Sequence, residues 1–105
     1  MAHIVWTSEA ESCLDHIYDY ISTVLQNEIA AVNTVSGIYD KVQVLEDQPE
    51  VGYPFEEASR DDVRVLLFGH YKIPYIFRSS LNDVVILGIY HCLMKMEDHL
   101  KYDEI

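Results

Sequence analysis

Apolar residues recur along the chain with two different periods, and the change of period divides it in two. His3-Ile4-Val5-Trp6 is short, β-branched and aromatic, which is strand composition. Ser8 follows, with Glu11 three residues on. That spacing is a capping box, in which the Ser8 hydroxyl accepts from an early helix amide and Glu11 reaches back to the Ser8 N–H. Ala10, Cys13, Leu14, Ile17, Tyr18, Ile21, Val24 and Leu25 then fall on one stripe, so the spacing predicts a helix as far as Leu25. Asn27 is a good N-cap and Glu28 suits the positive end of a helix. Ala31, Val35, Ile38, Val42 and Leu45 carry a second helix until Asp47-Gln48-Pro49 ends it. Gly37 costs about 1 kcal/mol against alanine inside that helix, which suggests close packing on the first one. The link between the two helices is very short, so they form an antiparallel hairpin.

Residues 49–62 carry Pro49, Gly52 and Pro54 with five acids and no periodicity, and read as a loop. Three strands follow. Val63 to Phe68 is apolar except Arg64; Tyr71, Ile73, Tyr75 and Phe77 alternate with Lys72, Pro74, Ile76 and Arg78; Val84 to Tyr90 is apolar throughout. Gly69-His70 and Ser79 to Asp83 are the turns between them. The order is therefore β-α-α-β-β-β. The fold class is α+β: an N-terminal helix hairpin packed on one face of a small antiparallel sheet. One domain is expected over residues 1–105, with a core at 3–95 and a polar tail at 96–105. Pro74 conflicts with a plain meander, because a proline cannot donate to a ladder and needs an edge or a bulge.

Composition narrows the function classes. The 105 residues are 50% hydrophobic and carry a formal charge of −11, with 7 Lys and Arg against 18 Asp and Glu. As a whole the chain repels nucleic acid and anionic membrane, which argues against direct DNA binding or a polybasic RNA-binding role. No apolar run approaches the roughly 20 residues of a membrane span. MAHIVWTSEAES lacks the basic and long apolar parts of a signal peptide, and two cysteines are too few for a disulfide framework. A reducing cytoplasm is the expectation. The charge is uneven. Residues 1–59 set Lys41 against eleven acids, residues 60–96 set five cations against three acids, and residues 97–105 set Lys101 against four acids.

No CxxC, HxxxH or HExxH spacing exists, His91 and Cys92 are strand neighbours facing opposite ways, and the four glycines are scattered. No metal and no cofactor is expected. Cys92 reads as a small buried hydrophobe. What remains is a group of residue types, Arg64, Lys72, Tyr75, Arg78 and His91. Cations can hold a phosphodiester, histidine can exchange a proton, and tyrosine can stack on a base. The same residues also suit structural roles, with Arg64 paired to Asp61 or Asp62 and the tyrosines in the core.

Trp6 before a helix, Leu45-x-x-x-Pro49-x-x-Gly52, Arg64, Tyr71-x-Ile73-x-Tyr75 and Val85-Ile86-Leu87-x-Ile89-x-His91 together resemble the RelE/ParE toxin superfamily of type II toxin–antitoxin modules. The likeness spans about residues 3–95 and is greater to the ParE-like branch, the plasmid stabilisation proteins. It implies a cytoplasmic bacterial toxin neutralised by a cognate antitoxin. ParE-like members inhibit DNA gyrase by binding it; RelE-like members cleave mRNA on the ribosome. Three readings stay open: a gyrase-binding toxin, an mRNA endonuclease using Arg64, Lys72, Arg78 and His91, and a non-toxic member that only binds its antitoxin. Arg64, Tyr75, Arg78 and His91 are the candidate target-binding residues; the resemblance matches Arg64 and His91 to family positions, sets Lys72 where RelE-like enzymes carry a basic catalytic residue, and matches Tyr75 to a tyrosine with a structural role. The chain departs from the nuclease branch in its acidity and in lacking a basic tail after His91. Binding rather than catalysis is favoured. The antitoxin is expected to bring an amphipathic helix and compensating Lys and Arg. A homodimer and a toxin–antitoxin hetero-oligomer are both compatible with the resemblance.

Overall fold

The computed structural model describes all 105 residues. Strand β1 (His3–Trp6) leads into helix α1 (Ser8–Asp19), a π-helical turn (Tyr20–Val24) and helix α2 (Glu28–Asp47). Strands β2 (Tyr53–Pro54), β3 (Val63–Phe68), β4 (Tyr71–Arg78), β5 (Asp83–Ile86) and β6 (Tyr90–His91) follow, with a short 3-10 turn at Met96–Asp98. The expected α+β architecture is present, with two helices on one face of the sheet. The sheet, however, is mixed. Its order is β1-β5-β4-β3-β2, and β1 runs parallel to β5, pairing His3 with Asp83 and Trp6 with Ile86. The helix hairpin returns the chain to the far edge of the sheet, so β1 and β5 start at the same end.

The N-cap of α1 is Thr7, not Ser8. Thr7 Oγ1 accepts the Ala10 N–H at 3.1 Å and donates to the Ile86 carbonyl at 2.7 Å, so one hydroxyl caps the helix and ties β1 to β5. With the cap one residue earlier, Ala10 holds the third helical position and Glu11 has no amide to reach back to. Ser8 donates its N–H to both oxygens of Glu104 at 3.1 Å, and its hydroxyl bonds the same carboxylate. Those bonds hold the Glu104 carboxyl below its usual range. The hairpin helix also ends its regular turns early. The Leu25 N–H reaches the Tyr20 carbonyl, a five-residue step, and the wide turn rotates Val24 and Leu25 out to solvent. Asn27 caps α2 as expected, accepting from Ala30 N–H at 3.0 Å. Gly37 makes room for the Phe68 ring on β3 rather than for the first helix.

Pro74 organises the sheet. It lies opposite Val65 of β3, and on the other side its carbonyl accepts from Leu87 N–H at 2.9 Å. The N–H and C=O of a strand residue point the same way, so the missing donor also faces β5 and the β3 ladder loses nothing. On that side a bulge replaces continuous pairing. Tyr75 pairs with Ile86 but Lys72 pairs with Tyr90, so three steps on β4 oppose four on the partner. The run read as one strand from Val84 to Tyr90 is thus two, β5 and β6, separated by Leu87-Gly88-Ile89. Gly88 sits against the Tyr90 ring, where a Cβ would collide.

Both sheet faces are covered. Leu14, Ile38, Val42 and Leu45 of the helices pack on Leu66, Ile73, Tyr75, Val84 and Ile86. On the opposite face Val63, Ile76, Val85 and Leu87 pack under Phe55, Ala58, Leu100, Tyr102 and Ile105. Residues 53–54, read as loop, add strand β2 beside β3. The closing segment, read as a polar tail, supplies Met96 to the cluster of Val65 and Tyr90 at 1% exposure. Arg60 lies 5.4 Å over the Tyr102 ring and forks onto Asp62, which fastens that segment to the loop before β3. Removing residues 97–105 is expected to uncover Val63, Ile76, Val85 and Leu87 and cost about 2–4 kcal/mol, from three partly buried apolar side chains. Urea unfolding reads this as a lower midpoint; an unchanged midpoint would contradict the packing described.

Candidate functional site

Arg64 and Tyr75 are directly opposed on β3 and β4, and they act together on the Pro49–Gly52 turn. Arg64 Nη1 donates to the Glu50 carbonyl at 3.0 Å and to the Gly52 carbonyl at 2.7 Å. The Gly52 N–H donates to Tyr75 Oη at 2.9 Å. A Cβ on Gly52 would stand 2.7 Å from the Val65 carbonyl oxygen and from the Tyr75 ring, so only glycine fits. This clamp gives the spacing Pro49-x-x-Gly52 and Arg64 a physical cause. Tyr75 is fully buried, and burial pushes its phenol up. Arg64 does not pair with Asp61 or Asp62. Its nearest carboxylate is Glu50 at 3.8 Å, although Glu50, Asp61, Asp62 and Arg64 share the rim of one shallow cavity.

Arg78 is equally committed. Its Nε and Nη2 fork onto both oxygens of Asp83, its cross-strand partner, at 2.7 and 2.6 Å. The guanidinium holds the Asp83 carboxyl below its usual range. Lys72 is half-buried opposite Leu67 and Tyr90, with no ion pair or side-chain hydrogen bond. His91 is exposed. It meets the Tyr71 ring edge-on at 6.0 Å, stacks 6.1 Å from His70, and its Nδ1 accepts from Leu93 N–H at 3.2 Å. Cys92, expected to be buried, is exposed, because the chain leaves the sheet after His91.

Register therefore keeps the five candidates apart. Directly opposed residues share a face, and neighbours along a strand do not. Arg64, Tyr75 and His91 belong to the helix face; Lys72 and Arg78 belong to the other. Arg64 and His91 oppose residues four apart on β4, about 13 Å along the strand, and Lys72 and Arg78 are six apart, about 20 Å. Arg64 and Tyr75 are brought together, but around backbone groups of the Pro49–Gly52 turn. No set of three or more His, Cys, Asp and Glu side chains is placed to hold a metal ion.

The largest concavity involves residues that sequence reasoning assigned to the core or left aside. Glu9, Cys13, His16, Ile17 and Tyr20 line one wall along α1 and its π turn. Tyr71, Ile89, Tyr90 and His91 line the sheet side, and Met94 and His99 close the end, around about 580 Å³. Of the expected site residues only His91 reaches it. The signal in the sequence is faint: positions 9, 13, 16, 17 and 20 share a helix face, but nothing local says that this face meets β6 and the closing segment. Among the side chains along this groove, burial pushes the Cys13 thiol and the Tyr90 phenol up, and the Glu9 charge adds to both.

Set beside known proteins, residues 4–96 match the family described as ParE toxin of type II toxin–antitoxin system, parDE. The chain belongs to this family of ParE-type toxins. It is similar to the chromosomal ParDE toxin–antitoxin system from P. aeruginosa, with 27% identity over 87% of this chain and 96% of that chain, at a TM-score of 0.73. It also shares its fold with the RelBE2 toxin–antitoxin complex from Mycobacterium tuberculosis, with 22% identity over 86% of this chain and 96% of that chain, at a TM-score of 0.56. No curated protein is a significant match. The family match stops at Met96, so the segment folded over the second sheet face lies beyond it. No helix is long and apolar enough to cross a membrane.

Because Arg64 holds two backbone carbonyls, Arg64→Ala is expected to destabilise the chain by about 1–3 kcal/mol, with partial recovery in Arg64→Lys. Urea unfolding checks this, and an unchanged midpoint in Arg64→Ala would contradict the clamp.

Proposed function

We propose that this chain is a toxin that acts by binding and inhibiting DNA gyrase, without catalysis of its own, and that a cognate antitoxin neutralises it. Family membership supplies the class. The observation that carries the mode of action is the use of the cations: Arg64 and Arg78 are spent on the Pro49–Gly52 turn and on Asp83. A metal-independent nuclease needs several cations converging on one phosphodiester. Here the remaining candidates, Lys72 and His91, belong to opposite sheet faces, and the chain as a whole carries a formal charge of −11. Inhibition by surface contact asks for none of that convergence. His91 and the outer edge of the Arg64 clamp are the positions through which a target is contacted.

Neutralisation rests on apolar surface left open at the hairpin tip. Tyr20, Val24, Leu25, Ile29 and Val32 are exposed there, Ile29 at 76%. That patch suits the apolar face of an amphipathic antitoxin helix. With a formal charge of −11, the chain favours an antitoxin whose binding segment carries Lys and Arg.

A gyrase supercoiling assay set beside a coupled in vitro translation assay tests the target. Supercoiling is expected to fail while translation proceeds with intact mRNA. Arrested translation with cleaved mRNA and unaffected gyrase would contradict the reading in favour of the nuclease, and two unaffected assays would contradict it in favour of a non-toxic antitoxin binder.

A further inference from the structure

The groove between α1 and β6 has an unusual charge balance for a chain of this composition. No lysine or arginine lines it, and its one carboxylate is Glu9. Glu9 Oε2 accepts from Tyr90 Oη at 3.4 Å and from the Cys13 thiol at 3.7 Å, both long bonds from neutral donors. Glu9 Oε1 accepts nothing, and no cation comes within ion-pair distance. The carboxylate is half-buried in a site whose other walls are mostly apolar. One carboxylate oxygen is left without a partner and no counter-ion is present, so the groove is better matched to a cation than to an anion or to a purely apolar anchor. The rings of Tyr20 and Tyr71 flank it. Aromatic faces favour a planar guanidinium, and Ile17 and Met94 offer apolar contact to a methylene stem.

We propose that this groove is the docking site for an arginine side chain presented by a partner protein, its guanidinium on Glu9 Oε1 and its stem along Ile17 and Tyr71. The inference rests on the reading that an antitoxin with compensating cations holds the chain, and adds where one of those cations sits and what residue bears it. The neighbouring Tyr90 phenol and Cys13 thiol have no cationic form, and His16, His91 and His99, which also line the groove, lie beyond ion-pair distance, so none of them supplies the missing charge to Glu9. The guanidinium would do so with two in-plane N–H donors.

The probe is Nα-acetyl-arginine amide, titrated into the full chain at pH 7.4 and followed by amide chemical shifts, with Nα-acetyl-leucine amide as the control. Saturable shifts are expected at Glu9, Cys13, Ile17, Tyr71 and His91 with the arginine probe. The leucine probe is expected to bind at least about fivefold more weakly, and Glu9→Gln to weaken the arginine probe by a similar factor. Tyr20→Ala, an exposed position outside the core at the far end of the groove from Glu9, provides a second variant; it removes apolar contact to the probe's stem and is expected to weaken the arginine probe while leaving the spectrum otherwise folded. Equal shifts from the leucine probe, shifts confined to other surfaces, or undiminished binding in both variants would overturn the proposal. Capture of the product of the neighbouring reading frame, scored separately on the wild-type chain, tests the antitoxin reading, so either can fail alone.

Discussion

A proline at the centre of β4 withholds one hydrogen-bond donor from the sheet, and the layout of the last third of the chain follows from where that gap points. It points toward β5, where the partner strand takes one extra residue at Leu87-Gly88-Ile89. A one-residue change of register turns every later side chain to the other face. Without the bulge, Tyr90 would oppose Tyr71 and His91 would oppose His70. With it, His91 stands beside Tyr71 on the helix face, and Tyr90 opposes Lys72 while its hydroxyl reaches Glu9 on α1. The bulge beside Pro74 therefore sets which side chains β6 brings to the sheet wall of the groove.

The charge of −11 takes on a structural meaning in this setting. The acids concentrate in the helices and the following loop, and the three arginines of residues 60–96 are drawn into specific bonds with backbone carbonyls and with Asp62 and Asp83, which leaves Lys72 as the one strand cation without a partner. The segment that looked mildly basic by count therefore presents little free positive charge. Electrostatics of this kind disfavour a polyanionic substrate and favour a cationic protein partner. The groove at Glu9 is the local form of the same imbalance, a carboxylate with no cation near it.

The parts of the fold set by local periodicity were legible. Two helices, their hairpin link, strands β3 and β4 and the need for an edge or a bulge at Pro74 all follow from spacing and from the chemistry of one residue. The misread features depend on contacts across the chain. Thr7 displaces Ser8 as the cap because the Ile86 carbonyl is there to receive its hydroxyl; β1 runs parallel to β5 because the hairpin returns the chain to the same end; the acidic closing segment packs because Leu100, Tyr102 and Ile105 find an uncovered sheet face. For the candidate site, residue types were visible but partners were not. The sequence leaves Arg64 and Tyr75 open between chemistry and a structural role, and the structure places both on the backbone of Gly52. The groove was not legible because α1, the sheet and the closing segment each contribute only a part of it.

The mode of action we propose for this ParE-type toxin is stoichiometric binding. Titrating a fixed amount of gyrase with the purified chain, in the presence of translating ribosomes, tests this most directly. Supercoiling activity is expected to fall linearly to an end point at a fixed molar ratio of chain to gyrase, with full-length mRNA throughout. Many scission events per molecule of chain, at amounts far below that ratio, would contradict it.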